Sequence, residues 1–309
     1  MRLRLLLTAA GCLAGLVGVV AVTAAREPQP TAQPELMSRP VPAPRRYPSV
    51  PQSPQQTAEL LAKVEAALRN PTTPAAALPD LGHQQQVIYR VLSADPVRSS
   101  AVLEHLPDRW TSIADRHLAA RREFLRMSRG RGPSRLPAWR IIAPEPADQL
   151  LSYYRKAEAA TGIAWEVLAA VNLVETGMGR IDGISVANAQ GPMQFLPTTW
   201  AEPGIGAGDI RNPHDAIQAA ARYLVRRGGL QNIRQGLWGY NNSDYYGRAV
   251  LLYASLMEED PRAYIGLYHW EIHFNAAVGD IWLPVGYNQP QPIGVNAYLQ
   301  RHPGSRSPN

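Results

Sequence analysis

From residue 57 onward, apolar side chains recur at intervals of three and four residues, and this spacing constrains the fold more than any other feature. Most of these stretches begin after a helix-capping residue or a proline and end at a helix-stopping pair such as Thr161-Gly162. The predicted helices follow Thr57, Asp80, Asp95, Pro107, Asp148, Ala164, Asn212 and either Ser243 or Asp244. Apolar alternation within residues 266–283 indicates one short β-hairpin. The sequence therefore predicts a mainly α fold.

The composition excludes several classes of protein. The 309 residues carry a formal net charge of +6, and 45% of them are hydrophobic while 18% are charged. These fractions are not those of a disordered polyelectrolyte or of a polytopic membrane protein. The basic residues are almost all arginines scattered along the chain, so we expect no nucleic-acid partner.

The first 25 residues have the pattern of an export signal. Arg2 and Arg4 precede an almost uninterrupted apolar stretch over residues 5–25 that ends in small residues. The stretch is long for a cleaved signal peptide and just long enough to cross a bilayer, so cleavage and retention as an N-terminal membrane anchor both stay open. Cys12, the only cysteine, lies inside it, and a processed chain would have no thiol chemistry. We expect the protein in the cell envelope or outside the cell.

Changes of composition divide the remaining chain. Residues 26–56 are rich in Pro, Gln, Ser and Ala without periodicity, which predicts a tether. The helical patterns of residues 57–128 predict a small all-helical module, and the break in these patterns predicts a linker over residues 129–145. A second helical unit over 146–285 is followed by a Pro- and Gly-rich tail, residues 286–309.

Glu175 is the most informative acidic residue. It closes the apolar stripe of its predicted helix, so its side chain projects toward the core side. Partial desolvation and the negative end of the helix dipole both favour the protonated carboxyl. A carboxyl kept neutral near pH 7 can donate the proton that glycosidic bond cleavage requires. Helix position alone favours the other interpretation, a last-turn glutamate that extends into solvent.

Residues 174–180 resemble the catalytic-glutamate motif of lytic transglycosylases. The match continues, in the order of that family, through three further blocks at residues 185–200, 212–224 and 238–246. The Gly-Pro-Met-Gln-Phe-Leu-Pro sequence of the second block is most similar to the membrane-bound type-B branch and its exported actinobacterial relatives. Asn188 stands where many relatives have glycine, an exchange that a left-handed backbone would tolerate.

The resemblance implies a lysozyme-like helical domain in which Glu175 acts first as the acid and then as the base. It also implies a set of substrate-binding residues: Ser185, Gly191, Met193, Gln194, Tyr223, Tyr240 and Asn241. In this set Ser185 and Gln194 would hydrogen-bond the substrate or the catalytic carboxylate, and Met193 would form an apolar wall. Gly191 would let the backbone approach a sugar. Tyr240 would orient Glu175, Asn241 would hold an N-acetyl group, and Tyr223 would flank a sugar ring.

The function that the resemblance implies is cleavage of peptidoglycan glycan strands. The bond is the β-1,4 linkage between N-acetylmuramic acid and N-acetylglucosamine, and the product is a 1,6-anhydro sugar. We expect no cofactor and no metal. Residues 269–273 superficially resemble a zinc motif, but their alternation is typical of a strand and indicates a structural role.

Two other functions stay open. Asp182 could supply the second carboxylate of a hydrolytic muramidase, although its place before Gly183 also suits a turn. The non-enzymatic alternative is a scaffold that binds peptidoglycan without cleaving it.

None of the four blocks lies in the helical module 57–128. Its Gln84 to Gln86 run and its Arg121-Arg122 pair are more typical of solvated helix faces than of binding motifs. We therefore expect a chain that starts near Leu136 to fold and to cleave soluble glycan fragments.

Overall fold

The computed structural model describes residues 45–127 and 132–308. Within these ranges the chain is mainly helical, as predicted, with three pairs of short antiparallel strands. The export signal and most of the tether lie outside the described residues. No helix in the part of the chain that the structure describes has the length and apolarity needed to span a bilayer.

The N-terminal helices are α1 (Pro54–Arg69), α2 (Leu78–Ala94), α3 (Pro96–His105) and α4 (Asp108–Met127). Asp95 caps α3 through its side chain, as its place before a proline predicts. Helix α1 begins earlier than predicted because Ser53, and not Thr57, caps it. The Thr57 hydroxyl donates instead to the carbonyl oxygen of Pro51 at 2.7 Å.

Seven helices follow: α5 (Ala147–Thr161), α6 (Trp165–Thr176), α7 (Pro197–Trp200), α8 (Pro213–Arg226), α9 (Ile233–Asn241), α10 (Asp244–Glu259) and α11 (Ala263–Tyr268). Gly162 ends α5 in the left-handed conformation, with φ 80°. Asn212 and Ser243 cap α8 and α10 through their side chains. These three boundaries confirm the cap and stop signals read from the sequence.

The strands form three separate pairs: β1 (Arg135–Leu136) with β6 (Ile293–Gly294), β2 (Arg140–Ile141) with β3 (Ile181–Asp182), and β4 (Ile272–Ala276) with β5 (Gly279–Leu283). The last pair confirms the predicted hairpin, with Ile272 opposite Leu283, but residues 266–268 of the predicted range end α11 instead of forming strand. Strand β6 leads into α12 (Val295–Arg301), so the segment predicted as a tail contains regular structure. Val295 and Tyr298 are buried in a small apolar cluster with Leu136 and with Ile281 and Leu283 of the hairpin.

One hydrophobic core joins the N-terminal helices to the later ones. Leu61, Ile88 and Leu118 are buried in the same cluster as Leu168 and Tyr253. Helix α4 packs along α10, and α2 packs against α11. The composition change at the linker therefore does not coincide with a break in the packing, and the division into separately folding units stays a prediction.

Residues 45–53, the end of the predicted tether, lie against the hairpin. The ring of Tyr47 is buried, and its hydroxyl donates to the Asp280 carboxylate. Arg45 forms ion pairs with Asp80 and Glu271. The buried Tyr47 ring and the ion pairs of Arg45 thus attach this segment to the helical part of the protein and to the hairpin. The Pro- and Gln-rich sequence before it has no apolar periodicity.

Candidate active site

Glu175 lies in the last turn of α6, a helix buried along most of its length. Gly177 ends the helix in the left-handed conformation, with φ 62°. A Cβ at Gly177 would lie 2.5 Å from Cδ1 of Ile272, so glycine is also needed for the close approach of β4. The Glu175 side chain has intermediate exposure, and its carboxyl is therefore surrounded by protein on most sides yet reachable.

Tyr246, in the first turn of α10, holds this carboxyl. Its hydroxyl donates a hydrogen bond of 2.7 Å to Oε1 of Glu175. Burial raises the pKa of Glu175 to about 7, and the hydrogen bond from Tyr246 offsets part of that increase. Burial and the adjacent Glu175 hold the pKa of Tyr246 well above its usual value, so Tyr246 stays a donor. The pair can release and take up a proton near neutral pH.

The structure corrects the role predicted for Tyr240. Its hydroxyl donates to the carbonyl oxygen of Met193 at 2.7 Å and makes no hydrogen bond to Glu175 in the described structure. The rings of Tyr240 and Tyr246 are nearly parallel, with centroids 6.4 Å apart. Burial raises the pKa of Tyr240, and Tyr240 lies close enough for Glu175 to contribute to that increase, but it does not donate to the carboxyl.

Ser185 organises the loop that follows β3. Its Oγ accepts hydrogen bonds from the backbone N–H groups of Ala187 and Ala189, at 3.2 and 3.0 Å. Asn188 between them has φ 65°, so its backbone is left-handed, the condition under which asparagine can replace glycine. The Ser185 hydroxyl has no bond to Glu175 in the described structure, and its contact with substrate stays a prediction.

The next loop is shaped by the residues of the Gly-Pro-Met-Gln sequence. A Cβ at Gly191 would lie 1.9 Å from the carbonyl oxygen of Ile210, so the glycine makes room for this backbone, and its approach to a sugar stays a prediction. Met193 is fully buried, which corrects the apolar wall expected of its side chain. Gln194 has φ 49°, and its Nε2 donates to the Gly191 carbonyl at 3.0 Å. Gln194 keeps the intermediate exposure that a substrate-binding residue needs.

Tyr223 belongs to the aromatic support beneath the site. It is only 8% exposed, and its ring meets those of Phe195 and Tyr240 edge to face. Its hydroxyl lies 3.4 Å from the carbonyl oxygen of Gly239. A direct sugar contact by Tyr223 therefore has little exposed ring to use. Asn241 ends α9 with intermediate exposure, and its binding of an N-acetyl group stays a prediction.

A cavity of about 260 Å³ lies beside Glu175, between α6, the hairpin and the N-terminal helices α2 and α4. Its walls are mainly aromatic and apolar, and they include Tyr89, Phe124, Trp139, Leu173, Tyr253 and Trp270. Arg90 and Arg121 also line it. Among the predicted site residues, Glu175 is the one that borders this cavity. The carboxyl thus lies between the motif residues and a cavity completed by the N-terminal helices.

Sequence reasoning missed two contributors to this site. Tyr246 is the last residue of the fourth block, so a signal was present, but the block contains three tyrosines and does not indicate which one reaches the carboxyl. The sequence favours a solvated helix face for Arg121 and Arg122. In the structure, Arg121 lines the cavity. No motif marks Arg121, and only the packing of α4 against α10 reveals its position.

Asp182, the alternative second carboxylate, is engaged elsewhere. It lies in β3, where its Oδ2 accepts from Arg140 Nε at 2.9 Å and its Oδ1 accepts from Arg211 Nη1 at 3.2 Å. Two guanidinium groups compensate its charge. In the described residues no hydrogen bond joins Asp182 to Glu175.

The zinc-like sequence belongs to the hairpin. His273 is buried in β4, with Nδ1 2.8 Å from Oδ2 of Asp280 and Nε2 3.0 Å from Nε2 of His83. This network joins β4 to β5 and to α2. The strand predicted from the alternation is confirmed for residues 272–273.

Residues 152–246 match the family model described as the transglycosylase SLT domain. The matched region contains Glu175, Tyr246 and every predicted substrate-binding residue, whereas helices α1 to α4, the hairpin and α12 lie outside it. The comparisons with curated proteins and with solved structures give no match. The mainly helical architecture is consistent with the lysozyme-like fold that the motif blocks imply.

Proposed function

We propose that this protein is an exported peptidoglycan lytic transglycosylase. It cleaves the β-1,4 bond between N-acetylmuramic acid and N-acetylglucosamine and leaves a 1,6-anhydro sugar. The match to the transglycosylase SLT domain supports lytic transglycosylase activity in general. One observation carries the finer proposal: Glu175 is a half-buried carboxyl with a pKa of about 7 and a hydrogen bond from Tyr246.

In the first step Glu175 acts as the acid. At neutral pH a carboxyl with a pKa of about 7 is protonated in a large fraction of molecules. Since Oε1 accepts the hydrogen bond from Tyr246, Oε2 is the oxygen that carries the proton. Oε2 donates it to the glycosidic oxygen as the bond breaks, and the N-acetyl group of the muramyl residue stabilises the positive charge at the anomeric carbon.

In the second step the same residue acts as the base. Glu175 is now a carboxylate, which the hydrogen bond from Tyr246 stabilises. It takes the proton of the muramyl 6-hydroxyl, whose oxygen bonds to the anomeric carbon and closes the anhydro ring. The proton lost in the first step is recovered, so the residue is ready for another cycle and no water is consumed.

The ion pairs of Asp182 support this use of a single carboxylate. A hydrolytic muramidase would need a second group to activate water or to bond to the sugar. Asp182 is the candidate, but its two oxygens face Arg140 and Arg211. Anhydro-ring formation needs only Glu175 and groups that the substrate brings.

Product analysis tests the proposal directly. Purified sacculi are digested with the full chain, and the released fragments are analysed by mass spectrometry. We expect muramyl ends lighter by one water than reducing ends. Reducing ends would establish a muramidase instead, and undetectable release with retained binding to sacculi would establish a scaffold.

Export is proposed from the sequence pattern of residues 1–25. Cell fractionation of the full chain and of a chain lacking those residues tests it. We expect the full chain in the envelope or the medium and the shortened chain in the cytoplasm. Recovery of both in the cytoplasm would contradict export.

A further inference from the structure

Arg121 is an unusual residue in the wall of the cavity beside Glu175. It lies on α4 with intermediate exposure, and its Nε is buried without a hydrogen-bond partner. None of the described residues forms an ion pair with it. Burial lowers the pKa of Arg121 to about 10, so the guanidinium still carries its charge at neutral pH. A buried N–H group without an acceptor costs folding free energy unless a ligand accepts a hydrogen bond from it.

The charges around Arg121 are compensated by protein partners. Arg90, the neighbouring cation of the cavity, donates from Nε to Asp280 at 2.9 Å and from Nη2 to Asn275. Glu271, another ionisable residue of the wall, is paired with Arg45. Glu175 takes up a proton near neutral pH. Within the described part of the chain, Arg121 is therefore the cation of this cavity wall without an ion pair, although Asp280 acts on it at longer range and Oε2 of Glu271 is also buried without a hydrogen-bond partner.

The position of Arg121 indicates which anion it would meet. The cavity connects it to Glu175, so a substituent of the sugar whose bond is cleaved can extend toward α4. Pockets for drug-sized ligands begin at about 300 Å³, so a cavity of about 260 Å³ suits a single substituent better than a glycan strand. Its apolar walls, including Phe124 and Trp139, suit short aliphatic groups.

We propose that the cavity receives the lactyl-linked substituent of the muramyl residue and that Arg121 binds a carboxylate on it. The inference rests on the proposed function, because it names the part of the peptidoglycan substrate that this cavity binds. A guanidinium can bind a carboxylate with two parallel hydrogen bonds, which gives both affinity and orientation. The carboxylate is that of the lactyl group where the peptide has been removed, or one of the peptide stem where it is present.

The test compares Arg121→Gln with Arg109→Gln. Arg109 lies on the same helix but is exposed and does not line the cavity, so this variant removes the same charge from α4 without touching the site. kcat and KM are measured with soluble glycan that carries peptide stems and with glycan from which the stems have been removed. We expect Arg121→Gln to raise KM about 10- to 100-fold with little change in kcat, and Arg109→Gln to match the wild type.

The two substrates identify the source of the carboxylate. A rise in KM confined to stem-bearing glycan assigns it to the stem, and one confined to stripped glycan assigns it to the lactyl group. A rise with both substrates shows that either carboxylate reaches Arg121. An unchanged KM with both substrates, or a loss confined to kcat, would overturn the inference.

Binding separates this inference from the proposed function. Calorimetric titration with N-acetylmuramic acid and with N-acetylmuramyl dipeptide needs no turnover, so it remains informative if the wild type releases no anhydro product. We expect at least one of these ligands to bind the wild type and to bind Arg121→Gln about tenfold or more weakly. Equal binding to both proteins, or no binding to the wild type, contradicts the inference whatever the activity shows.

Folding is checked by thermal unfolding. Removing a side chain whose buried N–H group has no acceptor leaves stability unchanged or raises it. If Arg121→Gln nevertheless fails to fold, the kinetic and calorimetric measurements are made with Arg121→Lys instead. It keeps the charge but loses the two-pronged geometry, so we expect an intermediate KM.

Discussion

Helices α5 to α10 and helices α1 to α4 contribute to the site in different ways. The later helices carry all four motif blocks, the acid Glu175 and its partner Tyr246. The N-terminal helices carry no motif, yet they supply Arg121 and Phe124 to the cavity and share one core with the rest. A family motif therefore indicates where the reacting residue lies, but it does not indicate how many other helices contribute to the site.

We expect removal of the N-terminal helices to have the largest effect on folding and on glycan release. The motif blocks alone lead to the expectation that a chain starting near Leu136 folds and works, and the shared core leads to the opposite expectation. The deletion would expose the face of α10 that packs on α4, and it would leave Glu123 and Arg248 without their 2.8 Å ion pair. We expect loss of a cooperative unfolding transition and of glycan release. Circular dichroism during heating and a digest of soluble glycan measure both.

The full chain, made in parallel, is the control for this deletion. A shortened chain that unfolds cooperatively and cleaves glycan at the full rate would show that the N-terminal helices form an independent module.

Replacing Glu175 with Gln tests the motif-bearing region itself. The change keeps the shape of the side chain and removes the proton that is transferred. One acid or base contribution is typically worth about 10²- to 10⁴-fold, and here a single residue serves both steps, so the loss of turnover is expected to approach or exceed the upper figure. Binding to sacculi should persist. Rates of product release and a pulldown on sacculi provide the measurement.

Asp182→Asn is the matched control for Glu175→Gln, because it also exchanges one carboxylate for an amide. We expect it to retain most activity, since Asp182 faces two arginines. A folded Glu175→Gln protein with near-normal turnover would move the catalytic role to Asp182.

Tyr246→Phe distinguishes between two tyrosines of the same block. The variant loses the hydrogen bond that lowers the pKa of Glu175, so that pKa should rise above about 7. The decline of wild-type activity as pH increases through about 7, where the donated proton is lost, should then move to higher pH. A hydrogen bond to a charged group suggests a loss of about 10- to 100-fold in turnover. A pH–rate profile measures both effects.

Tyr240→Phe is the comparison, since its hydroxyl bonds the Met193 carbonyl and not the acid. Its profile should keep the wild-type midpoint. A shift in Tyr240→Phe with none in Tyr246→Phe would restore the role first predicted for Tyr240.

The smallest expected effect concerns stability. Burial raises the pKa of Glu175 from 4.5 to about 7, so between these values the folded state binds more protons than the unfolded state. The free energy of unfolding should therefore fall as pH rises from about 4.5 to 7, with a contribution of about 1–3 kcal/mol that reaches its full size above pH 7. Glu175→Gln should lack this loss and be more stable than the wild type at pH 8 but not at pH 4. Denaturant unfolding at both pH values measures the difference, and equal differences at the two pH values would show that burial does not penalise the carboxylate.

Individual residues show how far the site could be predicted. The surrounding motif block singles out Glu175, whereas its helix position alone favours a solvent-exposed side chain, and in the structure the residue has intermediate exposure. The motif predicts glycine at position 191 but not the backbone of Ile210 that it accommodates, because the two segments meet only in the folded chain. Tyr246 could not be preferred over Tyr240, since which ring reaches the acid depends on how α10 packs against α6.

Local sequence signals predict the helices and many of their ends, and the motif block marks Glu175 as the proposed proton donor. Capping side chains such as Asn212 and Ser243 act within one turn of their own position, and a helical stripe is visible in the spacing of its apolar residues. The tertiary structure alone decided that α4 completes the cavity, that Arg121 faces it and that Tyr246 holds the acid. These outcomes depend on which apolar face is buried against which, and a stripe of apolar residues specifies that it will be buried but not its partner.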